Sequence, residues 1–213
     1  MTALHDQLAT MAQLQIALND NVHREWRTQG FPYYRAVWVE CAELLDHFGW
    51  KWWKHQVTDV EQVKLEIIDI WHFGLSELIR AGAAGAERVD ANIVDAFAHR
   101  LGNWPLDFRA AVEVLAERSL AERTFPVEAF IDVMTSLPMT FAELYRTYVG
   151  KNVLNHFRQA NGYQAGAYVK TWSGREDNEH LFEIVRSLDH ASATFSADLY
   201  RALEVRYVES TRS

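Results

Sequence analysis

Apolar side chains recur mainly three or four residues apart along the chain, and strict alternation of apolar and polar residues is rare. This periodicity predicts amphipathic α-helices rather than strands. We expect helices over residues 2–19, 34–48, 58–80, 86–100, 106–118, 127–135, 140–159 and 179–208. Thr58 and Glu61 form a capping-box pattern at the start of the third helix. The pattern therefore predicts an all-α protein, a helical bundle that forms a single domain over residues 1–213.

Acidic residues interrupt the apolar sequence of the second and third predicted helices. Glu40 and Glu43 share one narrow stripe of the second helix, together with His47. Glu66 and Asp69 repeat the three-residue spacing in a helix that is otherwise apolar on nearly every side. Buried carboxylates that lack a partner are costly, and neighbouring ones repel each other. A turn between antiparallel helices would bring the two pairs face to face, where a cation could neutralise them.

The chemistry of these four side chains favours a hard cation. Oxygen ligands suit Mg²⁺ or Mn²⁺ better than zinc. A di-iron site is disfavoured, because such bundles use Glu-x-x-His on two helices, and the nearest match, Asp69-x-x-His72, occurs once. An ordinary solvated or salt-bridged role remains the alternative for each acid pair. We expect His47 to be a polar neighbour of the stripe rather than a metal ligand.

A second group of polar residues lies near the C-terminus. Lys151, Asn155 and Arg158 share one stripe of a predicted helix, and a glycine-rich polar segment follows at residues 160–178. That segment adds Tyr163, Lys170, Arg175 and Asn178. Cations among amides can bind a phosphate chain, although a solvated basic face would give the same pattern.

Composition limits the remaining classes of function. The net charge of −8 argues against nucleic acid as a partner. Cys41 is the one cysteine, so no intrachain disulfide forms, and we expect a buried small hydrophobe rather than a nucleophile. No apolar run approaches the roughly 18 residues of a membrane span, and the N-terminus shows no signal peptide. We therefore expect a soluble cytoplasmic protein without a membrane partner.

Three segments carry a resemblance to a known family. They are "ECAELLDHFGWKWWK", "EIIDIWHF" and "YVGKNVLNHFRQANGYQAGAYVKTWSGREDN". They resemble the signatures of the dimeric all-α dUTPases (type 2 dUTPases and dCTPase–dUTPases), which belong to the all-α NTP pyrophosphatase superfamily. The N-terminal "LQIALN" is similar to that family's first motif. The similarity covers most of the chain and is weakest across residues 81–138.

The resemblance implies a Mg²⁺-dependent homodimer, with Mn²⁺ able to substitute, that hydrolyses dUTP to dUMP and pyrophosphate. It also implies that dUDP is accepted, releasing phosphate, and that the activity keeps uracil out of DNA. The implied metal ligands are Glu40, Glu43, Glu66 and Asp69, with Glu43 orienting the attacking water and Glu40 assisting in catalysis. The implied phosphate contacts are Lys151, Arg158, Tyr163, Lys170, Arg175 and Asn178. The implied base and sugar contacts are Gln15, Asn19, Trp52, Trp53 and Asn155.

Two alternatives stay open at this point. A dCTP or broader dNTP pyrophosphatase differs only in the base that it accepts, since a flipped side-chain amide could exchange cytosine for uracil. A non-catalytic nucleotide-binding regulator on the same fold would be marked by loss of a metal carboxylate, and all four are present.

Overall fold

Helices dominate the computed structural model, which describes residues 2–102, 107–188 and 194–211. The helices within these ranges are α1 (Thr2–Val22), α2 (Tyr33–Phe48), α3 (Val60–Arg80), α4 (Ala91–His99), α5 (Phe108–Glu122), α6 (Val127–Ser136), α7 (Phe141–Ala160), α8 (Asp177–Ser187) and α9 (Phe195–Thr211). Two short strands, β1 (Thr171–Trp172) and β2 (Arg175–Glu176), pair in antiparallel register. The predicted all-α class is confirmed. No helix among the described residues is long and apolar enough to cross a membrane.

Contacts divide the chain into two compact units, residues 1–145 and 146–213. In the first unit α2 packs against α3 and α5, α1 packs against α3, and α6 packs against α5. Trp71 lies at the centre of this core, stacked on Phe130 and in edge contact with Phe97. α3 is buried along most of its length, as its apolar sequence predicts. The assignment of the whole chain to one domain stays a prediction.

The connection between α2 and α3 is fastened by side chains. Gly49 ends α2 with φ +94°, a conformation that favours glycine, and Arg109 on α5 donates to its carbonyl oxygen. The side-chain oxygen of Gln56 accepts from the backbone N–H groups of Trp50 and Lys51, at 3.0 and 2.7 Å. These bonds fix the start of the loop at residues 49–57, which carries Trp50, Trp52 and Trp53 and is called the tryptophan-rich loop.

The predicted capping box at Thr58 and Glu61 is wrong. α3 begins at Val60, and the N-cap is Asp59, whose carboxylate accepts from the Gln62 N–H. The Thr58 hydroxyl instead donates to the Phe48 carbonyl oxygen at 2.7 Å. Thr58 therefore closes the end of α2, and the adjacent aspartate, an equally good cap, starts α3.

A second prediction is wrong in the C-terminal unit. The single helix expected over 179–208 is two helices, because Leu188 adopts an extended conformation after α8. α9 starts after Thr194, whose hydroxyl donates to the Asp198 carboxylate. The glycine-rich segment expected to be all loop also holds the β1–β2 hairpin, which turns through Ser173 and Gly174, both with positive φ. Leu106, where one predicted helix began, lies outside the described residues.

Candidate metal centre and nucleotide-binding residues

Three glutamates converge where α2 packs against α3. Carboxylate oxygens of Glu40, Glu43 and Glu66 all lie within 4.8 Å of one another. Glu66 is buried, Glu40 is half-buried and Glu43 is exposed, so the group runs from the helix interface out to the surface. Three of the four acids predicted to converge are therefore close together, and Asp69 is not part of this group.

The electrostatics of Glu40 include all four acids. Burial raises the pKa of the Glu40 carboxyl to about 9, with further contributions from the charge of Asp69, from a hydrogen bond with Glu66 and from the charge of Glu43. Asp69 thus acts on the same carboxyl as Glu43 and Glu66 do. We refer to Glu40, Glu43, Glu66 and Asp69 as the acid cluster. Without a cation, Glu40 keeps a proton at neutral pH.

The donor set of the acid cluster fits a hard divalent cation. Octahedral Mg²⁺ binds oxygens at about 2.1 Å, so its ligand oxygens lie about 3.0 Å apart when adjacent and about 4.2 Å apart when opposite. Oxygens within 4.8 Å of one another can therefore share one cation if the side chains move inward. A cation at the acid cluster would also oppose the effect of burial and of the neighbouring acids, which together raise the pKa of Glu40.

Two further polar residues of α2 have defined partners. The imidazole Nε2 of His47 is 3.6 Å from a carboxylate oxygen of Glu66, which makes it a polar neighbour of the acid cluster. Asp46, the third acid of α2, is exposed. Its carboxylate accepts from the Trp50 indole N–H at 3.0 Å and from the Lys51 ammonium at 2.9 Å. Asp46 therefore anchors the tryptophan-rich loop.

The two amides predicted to contact the nucleoside belong to one hydrogen-bonded group between α1 and α3. The Gln15 side-chain NH₂ donates to the side-chain oxygen of Asn19 at 2.9 Å, and the Asn19 side-chain NH₂ donates to the Ser76 hydroxyl at 3.0 Å. His72 Nδ1 lies 2.7 Å from the Gln15 side-chain oxygen. Sequence analysis missed the contribution of His72 and Ser76. The matching four-residue spacings, 15 to 19 and 72 to 76, were the available signal.

The tryptophans predicted to contact the nucleoside lie at the protein surface. Trp52 is 90% exposed and Trp53 is 57% exposed, and their rings meet edge to face at 5.2 Å. Trp50 also makes an edge contact with Trp53. The contact of Trp52 and Trp53 with a nucleoside stays a prediction.

In the C-terminal unit, the residues predicted to bind phosphate and sugar form a buried hydrogen-bonded group. Arg158 makes two 2.8 Å bonds to the Asp177 carboxylate and donates to the Asn155 side chain at 3.2 Å. Lys151, itself buried, donates to Asn178 at 3.1 Å. Sequence analysis missed Asp177 as a member of this group, because only cations, amides and a tyrosine were predicted to bind phosphate and sugar here.

The ionisation of Asp177 follows from that pairing. Burial raises the pKa of its carboxyl, but the Arg158 guanidinium and the Tyr168 hydroxyl outweigh burial and hold it below the usual range. Tyr168 donates to this carboxylate at 2.8 Å. Asp177 is therefore a buried carboxylate with a full set of partners, as buried charges require.

The other predicted phosphate contacts are exposed. Arg175 pairs with Glu179 and Glu183 across the first turns of α8. Tyr163 lies with its ring centroid 5.9 Å from the Arg158 guanidinium, and Lys170 is exposed on the segment before β1. The predicted phosphate ligands thus form a buried group and an exposed group. Their contact with phosphate stays a prediction.

The helical fold and the clustered glutamates define an all-α protein with a candidate metal site. A family model described as dUTPase matches residues 7–163, and the chain belongs to this family. It is therefore a dUTP-hydrolysing enzyme. The match includes the acid cluster and residues 81–138, where the resemblance was weakest, and it ends before Lys170. None of the curated proteins compared with the chain matches it.

Proposed function

We propose that the enzyme hydrolyses dUTP to dUMP and pyrophosphate in a Mg²⁺-dependent reaction at the acid cluster. It is also proposed to convert dUDP to dUMP and phosphate. The observation that carries the proposal is the convergence of Glu40, Glu43 and Glu66 oxygens within 4.8 Å. A group of acids this close has an electrostatic cost that a divalent cation removes, and metal–nucleotide chemistry needs such a cation.

The three clustered glutamates have distinct parts in this proposal, and Asp69 is proposed as a further metal ligand. Glu43 is the most exposed of the three clustered glutamates and therefore the most open to solvent, and it is proposed to orient the attacking water. Glu66 is buried and supplies a fixed ligand. Glu40 would hold the cation as a carboxylate, without the proton that its raised pKa favours, because metal ligands must be deprotonated. When bound, Mg²⁺ neutralises phosphate charge and lowers the pKa of coordinated water.

The nucleoside contacts are proposed for the amides of α1 and for the tryptophan-rich loop. The side chains of Gln15 and Asn19 offer both donors and acceptors, which match the mixed edge of uracil. The indoles of Trp52 and Trp53 are exposed and can cover the base. Phosphate contacts are proposed for Lys151, Arg158, Tyr163, Lys170, Arg175 and Asn178, and a sugar contact for Asn155.

A nucleotide panel with pyrophosphate detection tests substrate and metal together. We expect dUTP to be hydrolysed faster than dCTP or other dNTPs, with activity in Mg²⁺ or Mn²⁺ and none in EDTA. A dCTP rate well above the dUTP rate would favour the dCTP pyrophosphatase alternative.

The enzyme is also proposed to be a homodimer. Size-exclusion chromatography with light scattering tests this proposal, which predicts a mass twice the 24.6 kDa of one chain.

A matched pair of variants tests the role of Glu43. Glu43→Gln keeps the shape of the side chain but removes the base, and we expect kcat with dUTP to fall at least 100-fold. The control is Glu113→Gln, an exposed glutamate on α5 that carries the same change of charge. Full activity of Glu43→Gln would show that another group orients the water.

A further inference from the structure

Four side chains between α1 and α3 form a closed chain of hydrogen bonds, which we name the amide relay. Its members are Gln15, Asn19, His72 and Ser76. The Ser76 hydroxyl returns to the His72 backbone carbonyl at 2.9 Å, so the chain of bonds begins and ends at one residue. Gln15, His72 and Ser76 are buried and Asn19 is half-buried, so water does not compete for most of these bonds.

The direction of every bond in the relay follows from Ser76. A carbonyl oxygen only accepts, so the Ser76 hydroxyl gives its single proton to the His72 carbonyl. The same hydroxyl can then only accept from Asn19, which therefore turns its NH₂ group toward Ser76. The Asn19 oxygen faces Gln15 and accepts from it. The Gln15 oxygen in turn faces His72, whose Nδ1 must carry a hydrogen.

This fixed direction matters for the base that Asn19 can contact. A side-chain amide carries two N–H donors and two carbonyl lone pairs, and the relay uses one of each at Asn19. The second N–H and the second lone pair are the groups that a base can use. Uracil presents N3–H beside the O4 acceptor, whereas cytosine presents the N3 acceptor beside an N4 donor. An amide that cannot flip matches one of the two patterns at a given base position.

We propose that Ser76 and His72 are positioning residues that lock the amide orientation of Asn19, and that this lock sets the preference for uracil over cytosine. The inference rests on the proposed function, in which Asn19 contacts the base. It adds that neither Ser76 nor His72 needs to touch the substrate. Loss of the lock permits the amide flip, and cytosine then gains a matching edge.

Substitution of Ser76 tests the lock through base preference. In Ser76→Ala we expect the ratio of kcat/KM for dUTP to that for dCTP to fall about tenfold, mainly through KM, because the acid cluster is untouched. Ser76→Thr keeps the hydroxyl and should retain the wild-type ratio. A folded Ser76→Ala enzyme whose ratio stays within about twofold of wild type would overturn the proposal.

The position of the hydrogen on the His72 ring tests the direction of the relay in the wild-type protein, where no residue of the relay is changed. In ¹⁵N-detected NMR of the wild-type protein, with His72→Gln used for assignment, we expect His72 Nδ1 to carry a hydrogen. A spectrum with Nδ1 unprotonated would overturn the direction of the relay, even if Ser76→Ala failed to fold.

Asn19→Ala separates the relay from the proposed function. If this variant keeps the wild-type base preference, Asn19 does not contact the base, and the lock has no effect on specificity. If Asn19→Ala lowers the preference and Ser76→Ala does not, the base contact stands and the lock is wrong. A wild-type enzyme that prefers dCTP would overturn the uracil preference. The NMR measurement of the His72 tautomer would still test the direction of the hydrogen bonds in the relay.

Discussion

The carboxyl of Glu40 on α2 is hydrogen-bonded to that of Glu66 on α3, and burial together with the neighbouring acids raises the pKa of Glu40 to about 9. Two carboxyls share a proton in this way only when nothing more favourable neutralises them. The structure therefore keeps four acids together at a cost to folding. Such a cost is typical of residues retained for their chemistry.

The first prediction is that Glu40→Gln stabilises the metal-free protein at alkaline pH. Because the folded pKa is raised, from 4.5 to about 9, wild-type stability is lost as the pH rises through that range. Glutamine cannot ionise, so the variant escapes this loss. After solvent screening we expect a gain of about 1–2 kcal/mol at pH 9.

Urea unfolding in EDTA measures this gain, with Glu113→Gln as the control for removing a surface charge. Adding Mg²⁺ should raise the stability of the wild-type protein and leave Glu40→Gln nearly unchanged. A Glu40→Gln protein less stable than wild type at pH 9 would show that the cluster is not under electrostatic strain.

The second prediction concerns the buried pair of Arg158 and Asp177. Asp177→Asn leaves the guanidinium buried without its counter-charge, and we expect a loss of about 3 kcal/mol. Because the pKa of Asp177 is lowered, its contribution is present above the unfolded pKa and is lost as the pH falls through the lower folded value.

Unfolding measured from pH 7 down to pH 2 tests this dependence. The wild-type protein should lose stability below about pH 4, and Asp177→Asn should lack that component of the loss. Glu204→Gln, an exposed acid on α9, serves as the control and should follow the wild-type curve. Identical curves for wild type and Asp177→Asn would contradict the prediction.

The third prediction concerns the close approach of Gly74 to an aromatic ring. A Cβ at Gly74 would lie 2.5 Å from the ring of Phe125, whereas one at Gly85 meets only a carbonyl at 3.7 Å. We expect Gly74→Ala to lower stability by about 2–3 kcal/mol through overpacking. Gly85→Ala should change it little in thermal unfolding.

Relief of the clash completes that test. In a double variant, Phe125→Leu should recover part of the stability that Gly74→Ala loses, since the smaller side chain makes room. Additive losses in the double variant would mean that the ring is not the cause.

The fourth prediction separates binding from folding at Trp52. Because its side chain is 90% exposed, Trp52→Ala should change the free energy of unfolding by less than about 0.5 kcal/mol. If the indole covers the nucleoside, KM for dUTP should rise about tenfold while kcat changes little. An unchanged KM in steady-state assays would remove Trp52 from the site.

Local spacing explains which parts of the molecule could be predicted from sequence. Glu40 with Glu43, and Glu66 with Asp69, follow helical periodicity, and the packing of α2 against α3 brings Glu40, Glu43 and Glu66 together. The same reasoning failed at Thr58, because two adjacent residues can cap a helix and the choice depends on which carbonyl lies nearby. It failed at Leu188, whose extended conformation ends α8 although the sequence continues with helix-compatible residues.

Contacts between residues far apart in the sequence could not be predicted either. Asp177 follows a run of predicted phosphate ligands, and no sequence pattern shows that its carboxylate would be buried against Arg158, nineteen residues away. His72 and Ser76 carry the correct helical spacing, but their bonds to Gln15 and Asn19 depend on how α1 packs against α3.

Direct binding of a metal ion tests the acid cluster without relying on turnover. Mn²⁺ is paramagnetic, so its electron paramagnetic resonance signal reports free and bound ion in a titration. We expect Asp69→Asn and Glu66→Gln each to weaken Mn²⁺ binding at least tenfold relative to wild type, and Glu113→Gln to bind as wild type does. Equal Mn²⁺ affinity in all four proteins would contradict a metal site at the acid cluster.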